Sequence, residues 1–119
     1  MNEILKGKVK TVYDVDGDAE KVKIVFHDKV TAWNGQRAEY PKDKGATCCL
    51  ISALLIEKLA SHGIRSHFLQ LDGLDSLICK KLTIVPVEVI VRNIAAGSIV
   101  KTTHLHEGTL IQPPIVEFF

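Results

Sequence analysis

The chain has 119 residues, a net charge of +1 and 46% hydrophobic residues, enough for a globular core of modest size. This balanced charge provides no long-range field to attract nucleic acid or a membrane surface, and no apolar run reaches the ~18 residues of a spanning helix. The three cysteines, two of them adjacent, make a poor disulfide or zinc pattern, so we expect a soluble, reduced, cytoplasmic protein.

Strand patterns occupy the first 27 residues. Residues 3–14 predict a strand that a glycine interrupts, and the sequence Asp16-Gly17-Asp18 predicts a hairpin turn. A second strand is expected over residues 21–27, where apolar side chains alternate with lysines. Residues 28–44 are polar and contain a turn signal and a proline, so they predict a loop with a short strand near Ala38.

One strong helix is predicted, from about Thr47 to His62. Gly45 opens it, and Gly63 is suited to the left-handed position that ends a helix. Its large apolar side chains at helical spacing are Leu50, Ile51, Leu54, Leu55 and Leu59. Because the helix carries few charges, we expect it to be buried on most sides, which is more cover than a chain of this length easily supplies. This helix and the apolar run at residues 113–119 lead us to expect a larger domain, although that run could also be tied down at a sheet edge or an interface.

Further strands are predicted over residues 66–71, 76–83 and 85–92. Hairpin-sized connections and a single helix predict an α+β fold, in which a mainly antiparallel sheet packs one long helix on a face. The order is not the alternating pattern of a Rossmann sheet. We expect residues 1–119 to form one lobe.

The sequence Gly7-Lys8-Val9-Lys10 is a candidate polyphosphate site. Two lysines two residues apart in a strand point the same way, ~7 Å apart, and a glycine lets a ligand approach the backbone. Ordinary solvated lysines of an edge strand would show the same pattern.

A second candidate lies at residues 80–86. Pro86 lacks an N–H and interrupts the strand ladder, which could leave backbone groups free to bind an adenine ring near Lys80. The alternative is that Lys80 is an ordinary solvated lysine of an edge strand.

The run from Val85 to Ser98 is the most informative stretch. Its alternation places Glu88 and Arg92 on one surface ~13 Å apart, a spacing that suits the two ends of a phosphorylated ligand better than a direct ion pair. Arginine offers a planar fork for phosphate, and Ser98 follows small residues that permit close approach. The alternative makes Ser98 a helix N-cap and Arg92 a surface charge. No histidine or cysteine completes a metal or nucleophile pattern, and we expect Cys48 and Cys49 to be small buried residues.

Taken together, these segments resemble the SAICAR synthetase family of purine biosynthesis, and the resemblance covers essentially the whole chain. The matching segments are Gly7–Tyr13, Thr31–Gly35, Lys44-Gly45, Gly63–Phe68, Val85–Lys101, Glu107–Thr109 and Pro113–Phe119. The block from Val87 to Ser98 is highly specific, whereas the Gly-Lys-x-Lys start is not. The resemblance implies the N-terminal lobe of an ATP-grasp or kinase-like fold.

By resemblance, the activity is the ATP- and Mg²⁺-dependent joining of L-aspartate to the carboxylate of CAIR, through an acyl phosphate. The implied ATP-binding residues are Gly7, Lys8, Lys10, Lys80, Ile84 and Glu88. The implied substrate-binding residues are Asn34, Gly35, Arg92 and Ser98. Metal ligands are expected in a C-terminal half beyond this sequence, so we expect the chain alone to be inactive, and we expect a homo-oligomer.

Two departures from the family pattern lie near the substrate loops. Cys48-Cys49 stands where the family has Asn-Asn, and Thr102 replaces a basic residue. The alternative function is a non-catalytic nucleotide-binding or interaction module derived from the same lobe. A small nucleic-acid binder fits poorly, because the charge is balanced and the aromatic residues form no stacking pattern.

Overall fold

The computed structural model describes residues 1–33 and 36–119, which contain nine strands and two helices. The strands are β1 (Glu3–Lys6), β2 (Lys10–Val15), β3 (Asp18–Phe26), β4 (Val30–Ala32), β5 (Arg37–Glu39), β6 (Phe68–Leu71), β7 (Ser76–Lys80), β8 (Val89–Ile94) and β9 (Leu110–Phe118). The helices are α1 (Lys44–Ala60) and α2 (Ser98–Thr102). The chain forms two compact units, Met1–Leu82 and Thr83–Phe119. Among the described residues, no helix combines the length and apolar character needed to cross a membrane.

The first unit is built on an antiparallel sheet with the strand order β1-β2-β3-β7-β6. Gly17, with φ 81°, turns the chain between β2 and β3, which confirms the predicted hairpin. Strands β4 and β5 form a separate hairpin between β3 and α1. The short strand predicted near Ala38 is β5, whereas β4, also three residues long, was not predicted.

One face of this sheet packs against α1. The core consists of Val22, Cys49, Ala53, Leu77 and Cys79, with Val12, Ile24, Phe26 and Phe68 packed against it. Val22, Ile24 and Phe26 therefore share the helix-facing side of β3, as the alternation predicts.

Small residues form the buried side of α1. Gly45, Cys49 and Ala53 recur every four residues and face the sheet. A Cβ atom on Gly45 would lie 2.8 Å from the carbonyl oxygen of Phe26, so the helix begins in direct backbone contact with β3. As expected for a chain of this length, the residues present do not cover α1 on most sides. Its large aliphatic side chains, Leu50, Ile51, Leu54, Leu55 and Leu59, are between 43% and 64% exposed because the sheet covers one side only.

The end of α1 confirms the role predicted for Gly63. This glycine adopts φ 78°, and its N–H donates to the carbonyl oxygen of Ala60 at 2.9 Å. The N–H of Ile64 donates to the carbonyl oxygen of Leu59 at 3.1 Å. These two bonds are those of a Schellman motif with the glycine at C′. The helix begins at Lys44, three residues before the predicted start.

In the second unit, β8 pairs antiparallel with β9, and α2 lies between them in sequence. Its core consists of Ala95, Ile99 and Ile111. The predicted strand from Val85 begins only at Val89, because Pro86 lacks an N–H and the N–H of Val87 donates to the carbonyl oxygen of Val85 within a tight turn. The apolar run at residues 113–119 lies almost entirely in β9.

We predict that Gly45→Ala destabilises the chain by up to about 2 kcal/mol, because the added methyl group would collide with the backbone of β3. This net value is an overpacking cost of about 1–3 kcal/mol less the ~1 kcal/mol that alanine gains over glycine inside a helix. Urea unfolding followed by circular dichroism measures the change. The control Glu57→Ala, at an exposed site on the same helix, is expected to shift stability by less than about 0.5 kcal/mol. An unchanged or raised midpoint for Gly45→Ala would contradict the close contact.

We also predict that one thiol reacts quickly with a disulfide reagent in the native chain. Cys48 is half-buried, whereas Cys49 and Cys79 are fully buried. Burial, with a smaller contribution from Asp75, raises the pKa of Cys49. Burial, assisted by Cys49 and opposed by Lys10, raises the pKa of Cys79 to about 11. Since thiolate is the reactive form, we expect the second and third thiols to react only in denaturant. Rapid labelling of two or more thiols in the native chain would contradict this.

Candidate functional site

A recess of about 540 Å³ lies beside the turn that joins β1 to β2. The turn is closed by a hydrogen bond from the N–H of Gly7 to the carbonyl oxygen of Lys10 at 2.9 Å. A Cβ atom on Gly7 would lie 3.1 Å from that oxygen, so glycine fits this position best. The residues that line this turn recess are Lys6, Gly7, Lys8, Phe26, His27, Asp28, Lys29, Tyr40 and Asp75.

The turn changes the predicted geometry of the two lysines. Lys8 lies in the turn and lines the recess, whereas Lys10 begins β2, so the expectation that both share one strand is wrong. The Nζ atom of Lys10 lies 5.6 Å from the ring centroid of Phe26, a cation–π distance. Because Phe26 is also one of the residues that line the recess, the structure brings Gly7, Lys8 and Lys10 into one neighbourhood.

The wall of the recess opposite the turn is the segment 27–29, which hydrogen bonds hold from two sides. The N–H of His27 donates to the carbonyl oxygen of Val9 at 2.8 Å, and its Nε2 atom lies 2.7 Å from Oγ1 of Thr11. On the other side, Oδ1 of Asp28 accepts the N–H of Gly45 at 2.8 Å. Sequence reasoning missed this wall, because its bonds join residues 16 to 18 positions apart and no local pattern signals them.

Lys80 lies elsewhere on the same sheet. In the strand register Lys10 is opposite Phe26, and Lys80 is opposite Lys21. Phe26 and Lys21 are five residues apart on β3, so Lys10 and Lys80 lie on opposite faces of the sheet, separated by about 17 Å along the strand. The structure therefore does not bring Lys80 into the turn recess.

Ile84 and Glu88 belong to the second unit. Ile84 is 78% exposed and precedes β8. Glu88 exchanges two backbone hydrogen bonds with Phe119, of 2.8 and 3.0 Å, so the ladder continues one residue before β8. The register from Val89 to Arg92 is regular, which keeps Glu88 and Arg92 on one face as predicted. The predicted substrate residues Asn34 and Gly35 lie outside the described residues.

Arg92 is the centre of a hydrogen-bonded cluster in the second unit. Its Nη2 atom donates to Oγ of Ser98 at 2.9 Å, and its Nη1 atom donates to the carbonyl oxygen of Ala96 at 3.0 Å. Its Nε atom donates to the carboxylate of Glu117 in an ion pair, with the arginine side chain only 14% exposed. Arg92 and Ser98 are thus brought together, as the sequence predicts. The sequence did not indicate Glu117 as a partner of Arg92, because only the pairing of β8 with β9 brings the two residues together.

The small-residue turn before Ser98 has a simple backbone explanation. Gly97, with φ 67°, is the N-cap of α2, and Ser98 is its first helical residue. The N-cap interpretation of Ser98 is therefore wrong.

The guanidinium group of Arg92 keeps two unused N–H donors. It has five N–H donors in all, and its three contacts occupy one each. The two that remain are on the Nη atoms and could bind a ligand.

Residues 1–33 and 36–119 contain no group of three or more His, Cys, Asp or Glu side chains arranged to hold a metal ion. They offer positive charge, flexible glycine backbone and hydroxyl groups, which are the usual partners of phosphates.

Comparison with known proteins identifies the family. The family model described as SAICAR synthetase matches residues 3–119. A phosphoribosylaminoimidazole-succinocarboxamide synthase from Synechocystis sp. is 40% identical over 119 residues, covering 100% of this chain and 45% of the relative. The phosphoribosylaminoimidazole-succinocarboxamide synthase from Thermococcus sibiricus is 44% identical over 117 residues, covering 98% of this chain and 49% of the relative. The chain thus spans about half the length of the curated relatives it matches.

Solved structures agree with the sequence comparison. A type-2 SAICAR synthetase in complex with ADP matches 96% of this chain and 48% of its own, with a TM-score of 0.88 and 37% identity. The enzyme from Ehrlichia chaffeensis matches 98% of this chain and 49% of its own, with a TM-score of 0.90 and 36% identity. The α+β fold predicted from sequence is confirmed by these matches. The chain belongs to the SAICAR synthetase family.

Proposed function

We propose that residues 1–119 form the N-terminal, nucleotide- and substrate-binding lobe of an ATP-dependent ligase that joins CAIR and L-aspartate to give SAICAR, ADP and phosphate. The observation that carries the proposal is the family match over residues 3–119, together with a turn recess that offers lysines to an anion. The related structure in complex with ADP supports a nucleotide as the ligand.

In this proposal, the turn recess receives the phosphates of ATP. Gly7 lets the phosphate chain approach the backbone, and Lys8 neutralises its charge from the recess wall. Lys10, held over Phe26, adds positive charge beside the recess. Lys80, Ile84 and Glu88 are proposed to lie around the nucleoside.

Arg92 and Ser98 are proposed to hold the phosphate of CAIR. The cluster is built in advance, since Glu117, Ala96 and Ser98 fix the guanidinium plane. Two Nη hydrogens remain for phosphate oxygens. Asn34 and Gly35 are proposed to lie in the loop beside the substrates.

The proposed chemistry needs no protein nucleophile. A carboxylate oxygen of CAIR takes the γ-phosphoryl group of ATP, and the P–O bond to ADP breaks. The amine of L-aspartate then attacks the acyl carbon, the C–O bond to phosphate breaks, and the nitrogen loses a proton as the amide forms. The residues of this chain would position the reactants and neutralise their charge. Mg²⁺ would offset phosphate charge when bound, and no residue of this chain is assigned to it.

A homo-oligomer and a cytoplasmic location complete the proposal. The exposed aliphatic side chains of α1 support self-association. The alternative, a non-catalytic binding module, differs in one measurable respect: it would bind nucleotide in every context and form no SAICAR.

We expect the 119-residue chain to bind ATP in calorimetry and Lys8→Ala to weaken binding roughly fivefold, the effect of losing one charge ~4 Å from a phosphate in water. Lys58→Ala, which replaces an exposed lysine on α1, is the matched control and should leave binding unchanged.

A second experiment measures SAICAR formation by a fusion, in which this chain is joined to the part of the Thermococcus sibiricus relative that it does not match. We expect the fusion to form SAICAR and the chain alone not to form it. A folded fusion that binds ATP without forming SAICAR would favour the non-catalytic module, and absent ATP binding would refute the proposed site.

Arg92→Ala is expected to abolish detectable CAIR binding in that fusion while ATP binding is retained, because phosphate loses its fork of donors. Since the substitution leaves the partly buried Glu117 unpaired, the double variant Arg92→Ala/Glu117→Ala serves as a charge-balanced companion. Arg37→Ala removes the arginine of an exposed ion pair with Glu39 and is the control. Unchanged CAIR affinity in the folded double variant would contradict the assignment of Arg92 to the phosphate of CAIR.

A further inference from the structure

We propose that Lys6 and Lys29 bind phosphate oxygens in the turn recess together with Lys8, so that three lysines of its lining hold the triphosphate chain of a nucleoside triphosphate while Lys10 adds charge beside them. This inference deepens the proposed function and rests on it.

The first argument is the pairing of the lysines. Three other lysines in or next to the sheet have carboxylate partners: Lys21 with Asp18 at 2.8 Å, Lys23 with Asp72 at 2.7 Å and Lys81 with Asp14 at 3.2 Å. Within the described ranges, the ion pairs include none of the three lysines that line the recess.

The second argument is the charge of the recess lining. The lining includes three positively charged lysines, Lys6, Lys8 and Lys29, and only two carboxylates, those of Asp28 and Asp75. Asp28 already accepts the first-turn N–H of Gly45 at 2.8 Å, so its charge is offset by the positive end of α1. The lining therefore presents an excess of positive charge, which favours a multiply charged anion.

The third argument is that backbone hydrogen bonds hold together the chain segments that carry these lysines. The hydrogen bond from His27 to Val9 ties the segment 27–29 to the turn that carries Lys8. The Nζ atom of Lys44 donates to the carbonyl oxygen of Lys29 at 3.3 Å and holds the segment from the helix side. Like charges that line one recess repel, and an anion bound among them relieves that repulsion.

The fourth argument is size. The volume of about 540 Å³ lies within the ~300–1,000 Å³ of small-molecule sites. Lys6 ends β1, Lys8 lies in the turn that follows it and Lys29 follows β3, so the three lysines come to the recess from two separate segments of the chain. Cations spread in this way suit an extended chain of phosphates better than a single phosphate group.

The test uses sodium tripolyphosphate and ATP as probes of the 119-residue chain, in calorimetry at low ionic strength. We expect Lys6→Gln and Lys29→Gln each to weaken tripolyphosphate binding roughly fivefold. The double variant should lose roughly 25-fold if the two contacts are independent. Lys29→Arg keeps the charge and should retain affinity, and Lys58→Gln, outside the recess, should match the parent chain. Urea unfolding of each variant verifies that the fold is intact.

The outcomes separate this inference from the function on which it rests. Parent-like tripolyphosphate affinity in folded Lys6→Gln and Lys29→Gln, with Lys8→Gln weakened, would overturn the inference and leave the nucleotide site standing. No binding of either probe to the folded parent chain would overturn both. Equal losses for tripolyphosphate and ATP, with rescue by Lys29→Arg, would support three phosphate-binding lysines.

Discussion

The docking of α1 onto β3 through small residues is the contact on which the first unit depends. Gly45 lies against the carbonyl of Phe26, and Cys49 and Ala53 continue the same side of the helix into the core. Bulkier residues there would move the helix away from the sheet, because cores are packed to crystal-like density and do not deform freely. The contact also places the N-terminus of α1 beside residues 27–29, where Asp28 and Lys44 join the two segments.

The turn recess is a consequence of that docking. Its far wall is the segment held by α1, its near wall is the turn closed by Gly7, and the bond from His27 to Val9 connects the walls. Hydrogen bonds within the chain hold the backbone of both walls, so less binding free energy is spent on ordering that backbone. The Arg92 cluster follows the same principle in the second unit, where Glu117, Ala96 and Ser98 orient a guanidinium group.

The sequence predicted the local features well. Alternation in β3, the hairpin at Gly17 and the capping role of Gly63 were predicted and are confirmed, because each depends on residues within a few positions of one another. The family and its α+β class were also recognisable from ordered motifs. The single lobe over residues 1–119 and the roles of the proposed ligand residues stay predictions.

What sequence alone could not decide was which residues meet across the chain. Periodicity identified an apolar helix, but only packing showed that glycine, cysteine and alanine face the sheet while the leucines are exposed. The Gly-Lys-x-Lys motif indicated a phosphate site, but a turn rather than a strand carries Lys8, and Lys29 joins it from beyond β3. Arg92 gained Glu117 as a partner through strand pairing across 25 positions. Neighbouring residues in the sequence determine turns, caps and strand alternation. The charge balance of a site depends instead on tertiary contacts, because electrostatic interactions depend on distance in space.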